Sequence, residues 1–530
     1  MATLAAGGPV STPAVAATAP TSSASAPAAG HLKWGRCDNL SLYYSGAQCA
    51  TLSVPLSYRH PDGRQIRLAV SRVKHSSSAA DYQGAILVNP GGPGGSGLAM
   101  STLGYSVPHG VGDDYDWIGF DPRGVGASRP ALRCIPHYFH LNRPDYRPRT
   151  AALRTAWKHR ARHYADRCAE RHPRLIRHLS TAEVARDMDR IRQALGVDRI
   201  SFYGFSYGTY LGEVFATLFP QHLGRMVLDS NVDPRRVWYQ ANLDQDVAFD
   251  RNIGIWFSWV AKYHGVYHLG TTRKAVSRRW YDALNALAKH PAGGKLGPAE
   301  WSDAFLWAGY YRDTWLTLGR QFSDFVHDGT WRPVAQFYRN HNDPTDDNGY
   351  AVYLGVQCLD APWPQHWSRW KSDSERIAAK APFLTWANTW FNAPCLYWHA
   401  PARAKPVSID GSGVGGVLLI DETLDAATPF EGSLVTRRLF PHASLVAEPG
   451  GTTHADSLSG DDCVDDLVAR YLRSGHRPPR QDGDRADYRC DPLPDPVPAG
   501  AQQRAGRTMR PATDPLPGAT VRPRPAGPAR

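Results

Sequence analysis

The sequence predicts an α/β protein: a mostly parallel, doubly wound sheet with a helical cap inserted before its last strands. Three observations predict it. Short continuous apolar runs alternate with stretches of helical periodicity, as strands covered on both faces alternate with helices. The alternation stops near residue 234 and resumes at Gly416. Between these points strand-like runs vanish, and 14 of the 17 tryptophans fall between residues 238 and 398. An insertion of that kind is a lid over a sheet that is completed later in the chain.

Taken in order, residues 1–33 are a low-complexity leader, the first 30 almost entirely Ala, Gly, Pro, Ser, Thr and Val. It has no Lys or Arg near Met1 and no strong apolar stretch, both of which a signal peptide needs, so the expectation is a true start further upstream. Residues 34–233 are the first half of the core. Leu52 to Tyr58 and Gln65 to Lys74 read as a hairpin around His60, Pro61, Asp62 and Gly63. Ala85 to Asn89 and Asp116 to Asp121 are buried strands. Ser180 and Glu183 spell a capping box, with Val184, Met188, Ile191 and Leu195 at helical spacing and Gly196 as the stop. Arg199 to Tyr203, Tyr207 to Phe219 and Arg225 to Asp229 then read as strand, helix and strand. Residues 234–410 are the cap. Residues 411–475 complete the core with strands at Val417 to Ile420 and Ala443 to Ala447, and helices at Phe430 to Phe440 and Asp462 to Leu472. Residues 476–530 form a Pro/Arg-rich tail, expected to be disordered apart from its tether at Cys490.

Composition narrows the function classes. With 530 residues, 42% of them hydrophobic, and 24 Tyr, 17 Trp and 16 Phe, the chain has ample material for a large core. No run approaches the roughly 20 apolar residues of a membrane span. A net charge of +11 raises the question of a nucleic-acid partner. However, residues 496–530 hold six Arg and one Asp, which is +5 of that total and leaves +6 for everything else, so no nucleic-acid partner is expected. Eight cysteines at 37, 49, 134, 168, 358, 395, 463 and 490 lack the CxxC spacing of zinc or redox sites. They permit 105 disulfide connectivities. Pairing of sequence neighbours would close four short loops and imply an oxidising compartment, against the alternative of eight buried thiols.

The sharpest motif is Gly204-Phe205-Ser206-Tyr207-Gly208, a GxSxG between a predicted strand and a predicted helix. In that setting a serine sits on a strained turn with Oγ exposed above the sheet. Elsewhere the same pentapeptide is an ordinary βα turn. A serine hydroxyl needs a general base oriented by a carboxylate, in the chain order Ser, acid, His for a doubly wound hydrolase. His454 follows the last predicted strand in a glycine-rich loop, whereas His442 precedes that strand. Asp425 follows the strand before it; Asp229, Asp421 and Glu422 compete for the same role, Asp229 most strongly. The loop Asn89-Pro90-Gly91-Gly92-Pro93-Gly94-Gly95-Ser96-Gly97 offers close backbone approach, and Gly92 and Tyr207 are the expected N–H donors to an oxyanion.

Gly92 to Gly97 also fits GxGxxG, with Asp121 ending the next strand as a ribose-binding acid would. Pro93 and the short stretch before Pro108 leave little room for the long helix a dinucleotide needs, so a nicotinamide oxidoreductase ranks far behind. Asp121 to Ser128 reads as a turn whose charges pair with each other. Asp343, Asp346 and Asp347 lack the ligand spacing of an EF-hand. No metal or organic cofactor is expected.

Together NPGGPGGSG, DPRGVGASRP, GFSYGTYLG, LDAATP and the late His454 resemble the secreted bacterial tripeptidyl aminopeptidases, relatives of proline iminopeptidase with the α/β-hydrolase fold. The resemblance covers residues 34–475. It implies Ser206 as nucleophile, Asp425 as acid, His454 as base, a helical cap, and release of short peptides, tripeptides above all, from peptide substrates with free N-termini. It also supports the neighbouring disulfide pairs and a secreted protein, which is expected to act as a monomer. Two features depart from the pattern: Ala455 stands where many relatives have glycine, and the tail is long. Related sequences include esterases and amidases, which is the alternative function. An exopeptidase needs an anion for the substrate ammonium, and Asp360, beside Cys358, is the candidate; its bland alternative is an ordinary exposed carboxylate.

Overall fold

The computed structural model describes residues 30–502. Its sheet has ten strands among the described residues, in the order β1-β2-β3-β5-β4-β6-β7-β8-β9-β10. These are β1 (Gly35–Arg36), β2 (Gln48–Pro55), β3 (Gln65–Val73), β4 (Ala85–Asn89), β5 (Asp116–Phe120), β6 (Ile200–Phe205), β7 (Leu223–Asp229), β8 (Val417–Glu422), β9 (Ala443–Glu448) and β10 (Tyr488–Arg489). From β5 through β4, β6, β7, β8 and β9 to β10 every pairing is parallel, and β1, β2 and β3 add an antiparallel edge. Every residue of β4, β5, β6, β8 and β9 is buried, because helices cover both faces. In a sheet of this kind the carboxyl ends of the parallel strands carry the site.

The Thr181–Leu195 helix ends on Gly196 at φ 73°, as expected. The capping box at its start does not form. Ser180 makes no side-chain cap, and Glu183 turns away to Arg123 at 3.3 Å. The open N–H of Thr181 is taken instead by Asp360 Oδ1 at 2.8 Å, a long-range cap that no local pattern could show. Between β4 and β5 lie two short 3₁₀ segments, Leu98–Ser106 and Pro108–Asp114. They are too tight and too short to be the phosphate-binding helix of a dinucleotide fold.

Between β7 and β8 run helices from Tyr239–Lys262 to Thr385–Asn392. Trp256, Trp280, Trp301 and Trp315 are buried together there in a second core. The Ala151–Arg171 helix, which has no counterpart in the sequence reading, contributes Trp157 and Ala161 to that same core. Its polar residues outnumber a thin stripe of buried ones, so its period is faint. Disulfides join Cys37 to Cys49, Cys134 to Cys168, Cys358 to Cys395 and Cys463 to Cys490, the sequence-neighbour pairing.

The expected disorder beyond residue 475 does not hold as far as residue 502. The chain has already returned to the sheet as β10, parallel to Val446 and Ala447 of β9. Arg437 grips Asp487 at 2.6 and 2.8 Å. Beyond the disulfide, Trp259 Nε1 donates to the Pro496 carbonyl at 2.9 Å. A proline-rich strap has few N–H groups but a full set of carbonyls, so donors from the body can hold it without secondary structure. The remainder of the tail and residues 1–29 of the leader lie outside the described residues.

Candidate active site

Ser206 stands between β6 and the Tyr207–Leu218 helix at φ 56° and ψ −126°, a conformation that costs a non-glycine residue roughly 1–3 kcal/mol. The surrounding glycines make the turn feasible. A Cβ on Gly208 would lie 2.6 Å from the Asn89 carbonyl oxygen, and one on Gly91 would lie 2.9 Å from Ser206 Cβ. The Ser206 N–H donates to the Asp229 carbonyl at 3.0 Å, which ties the elbow to the end of β7.

His454 and Asp425 meet. His454 Nδ1 and Asp425 Oδ2 are 2.7 Å apart, with the two residues 2% and 0% exposed. The same Asp425 carboxylate accepts the N–H groups of Ala427 and Thr428 at 2.7 and 3.1 Å and the Thr428 hydroxyl at 2.9 Å. Burial alone would raise the Asp425 pKa; the charge and hydrogen bond of His454, with the Thr428 and Ser230 hydrogen bonds, bring it below the ordinary carboxylate value. The histidine loop shares an anchor with the elbow: the Ala455 N–H donates to Ser230 Oγ at 2.7 Å, one residue beyond Asp229. Ser206 Oγ makes no hydrogen bond to the imidazole here and opens on a cavity.

The competing acids are occupied elsewhere. Asp229 accepts the Ser457 N–H at 2.9 Å and its hydroxyl, and burial raises its carboxyl to about 6. Asp421 binds the Ser433 hydroxyl at 2.5 Å; burial, and then the charge of Asp425, hold its pKa well above the usual range. Glu422 accepts the Thr453 N–H, next to the histidine. It belongs to a cluster with Glu448 and Asp456 in which one oxygen from each lies within 4.8 Å of the others. Burial raises these three to about 9, about 10 and about 7, with like charges adding to the effect. Three oxygens so placed could face a cation, but their burial favours the protonated, neutral carboxyls.

The cavity, of about 680 Å³, lies between the strand ends and the helical insertion. Gly92, Ser206 and Tyr207 line one side, and Asn242, Phe249, Tyr310, Tyr353, Gln357 and Asn388 line the other. Gly92 has φ 110°, and its loop packs so closely that a Cβ on Gly94 would lie 2.3 Å from the Gly349 carbonyl oxygen. Asp360, expected to face the substrate, is not in this wall. It is 2% exposed and is committed to the Thr181 N–H and hydroxyl at 2.8 and 2.6 Å and to Trp238 Nε1 at 3.3 Å.

The charges of the Asp121 to Ser128 turn also do not pair with each other. Asp121 accepts from Ser96, Gly97 and Ala127, while Arg123 reaches Asp187 through two 2.7 Å bonds. Asp346 pairs with Arg133 at 2.8 Å, and Asp347 accepts from Cys134, Ile135 and Tyr164. Sequence reasoning missed the groups that hold the site from the insertion. Arg251 and Asn252 donate to the Leu424 carbonyl at 2.6 and 2.8 Å, and the Tyr310 carbonyl accepts the His454 N–H at 2.9 Å. Thr428 had a signal, since an Asp three residues before a Thr-Pro is a turn-forming pattern; the others had none.

The family model of the alpha/beta hydrolase fold matches residues 84–342, and a model described as TAP-like protein matches residues 381–485. The chain is 40% identical over 462 residues to a tripeptidyl aminopeptidase of Streptomyces lividans, with 85% of each chain covered. A Mycobacterium bovis protein named serine protease Hip1 is 30% identical over 455 residues, 82% of this chain and 86% of that one. A Mycobacterium tuberculosis protein named carboxylesterase B is 31% identical over 471 residues, 84% and 86% of the two chains.

Proposed function

The chain belongs to the tripeptidyl-aminopeptidase-like family of α/β-hydrolases, and from that premise we propose that it is a serine exopeptidase releasing short peptides, tripeptides foremost, from the free amino termini of peptides or proteins through an acyl-enzyme. The observation that carries this reading is the buried Asp425–His454 hydrogen bond of 2.7 Å, whose loop is anchored beside the strained Ser206. In the proposed cycle His454 Nε2 takes the Ser206 proton as Oγ attacks the scissile carbonyl. Asp425 holds the Nδ1 proton and stabilises the imidazolium. The Gly92 and Tyr207 N–H groups receive the oxyanion, and each such donor typically lowers the barrier by about 2.7–4 kcal/mol. The imidazolium then protonates the leaving amine, and water, activated by the same histidine, hydrolyses the acyl-enzyme.

The insertion roofs the cavity, whose 680 Å³ falls in the roughly 300–1,000 Å³ range of pockets that enclose a small ligand. A roofed pocket favours a chain end over a mid-chain segment. With Asp360 withdrawn, the carboxylates of the wall are Asp233, Asp244, Glu431 and Asp484; the first two and the last pair with Arg235, Arg236 and Arg438, so the substrate ammonium falls to Glu431. The four disulfides support an exported protein. The test is mass spectrometry of a peptide library digested by the pure protein, each peptide supplied with a free and with an acetylated amino terminus. Three-residue products from the free set alone are expected; internal cleavage, or equal cleavage of the acetylated set, overturns the reading. A second reading, an esterase of the same site, has the likeness to carboxylesterase B in its favour. It requires acyl esters to be turned over far faster than tripeptidyl amides.

A further inference from the structure

The loop that presents His454 contains two consecutive glycines, the first at φ 81°, and glycine leaves a backbone free to take other shapes. Its shape is therefore set by what grips it. Below, the Thr453 N–H donates to Glu422 and the Ala455 N–H to Ser230. Above, one side chain from the insertion makes the contacts. Arg312 opens the Arg312–Thr314 turn directly after the Pro298–Tyr310 helix. Its Nε donates to Thr452 Oγ1 at 3.1 Å and its Nη2 to the Gly450 carbonyl at 3.0 Å. The third direction of the fork, Nη1, donates to the Leu493 carbonyl at 2.5 Å, and the Asp495 carboxylate lies 3.7 Å from Nε. The residue is 9% exposed and is absent from the cavity wall.

We propose that Arg312 is a positioning residue for His454, aimed by the C-terminal strap at residues 493–495, so that the strap and the insertion together fix the base of the reaction. This rests on the reading of Ser206 and His454 given above. A guanidinium is planar with N–H groups in fixed directions, so three acceptors on two chain segments, the histidine loop and the strap, determine its plane; an ammonium cannot reproduce that fork. Two of these bonds hold the loop from the insertion side, opposite the bond of the Gly450 N–H to Thr423 Oγ1 at 2.8 Å, and the Tyr310 carbonyl, two residues earlier in the chain, accepts the His454 N–H itself. A misplacement of about 1 Å in such a group costs about 10²-fold in rate. Because Arg312 does not touch the cavity, its loss acts on turnover and leaves substrate affinity alone.

The experiment uses the full chain with Arg312→Ala, Arg312→Lys, Asp495→Ala and Ser206→Ala, assayed on a tripeptidyl amide and by the rate of labelling with a small fluorophosphonate. For Arg312→Ala the expected result is a fall in kcat of about 30- to 100-fold with KM within about twofold, and a matching fall in labelling rate. Arg312→Lys recovers only part of the loss, and Asp495→Ala shows a smaller fall, about threefold, in the same direction. Should Arg312→Ala not fold, Arg312→Lys decides, with its fold checked by circular dichroism. A folded arginine variant with kcat within twofold of the parent, or one whose deficit lies in KM, overturns the proposal. Retained turnover in Ser206→Ala overturns the underlying reading instead, and so separates the two failures.

Discussion

At the scale of the residue, Ser206 holds a left-handed φ of 56° that serine adopts only under constraint. That strain and the hydroxyl can be separated. Ser206→Gly relieves the backbone and is expected to raise stability by about 1 kcal/mol while abolishing turnover; thermal melting beside an amide assay checks both. Ser206→Ala keeps the strain and should lose activity by about 10⁶-fold with no change in melting temperature. Asp425→Asn keeps the shape but reverses the donor facing His454 Nδ1, for an expected loss of about 10⁴-fold in kcat. These three residues stand out in the sequence because glycines and turn residues surround them in recognisable order. Asp360 was misread because a carboxylate beside a disulfide says nothing about which way it faces. The structure gives it to a helix start 179 residues away.

At the scale of the element, the strands were legible as continuous apolar runs, but their ends were not. β8 and β9 run on through Asp421, Glu422 and Glu448, which are buried at 0%, 2% and 1% exposure. Polar residues at a strand end read as loop unless the burial is known. The consequence of that burial is measurable. Burial, then the charge of Asp456 beside Glu422 and of Glu422 beside Glu448, raise these two to about 9 and about 10, so the folded state holds protons that the unfolded chain releases near its ordinary value of about 4.3. A folded pKa above the unfolded one means stability that is greatest below the unfolded value and declines as pH rises toward the folded one. Denaturant melts should therefore show lower stability at pH 9 than at pH 5. Glu448→Gln, which cannot ionise, should flatten that decline by about 1–3 kcal/mol; an unchanged slope would remove the cluster as its cause. The Ala151–Arg171 helix was illegible for a different reason, since its partner surface lies in the insertion and its own apolar stripe is narrow.

At the scale of the whole molecule, the helical insertion holds both loops of the site. Arg251 and Asn252 fix the acid loop, and Tyr310 and Arg312 fix the histidine loop. The insertion could be recognised in the sequence from its tryptophans, but its grip on the loops could not, because hydrogen bonds between distant side chains and carbonyls leave no periodic trace. The same holds for the strap after Cys490. Its bridge to Cys463 spans 27 residues, and replacing both cysteines by alanine should cost about 3 kcal/mol of stability, read as a lowered denaturation midpoint.

The most direct measurement is a crystal structure of the protein inactivated by a small fluorophosphonate. The expected density joins phosphorus to Ser206 Oγ, with the phosphoryl oxygen about 2.7–3.1 Å from the Gly92 and Tyr207 nitrogens and His454 facing the modified serine. Phosphorus on any other side chain, or a phosphoryl oxygen turned away from both nitrogens, would contradict the assignment of the site.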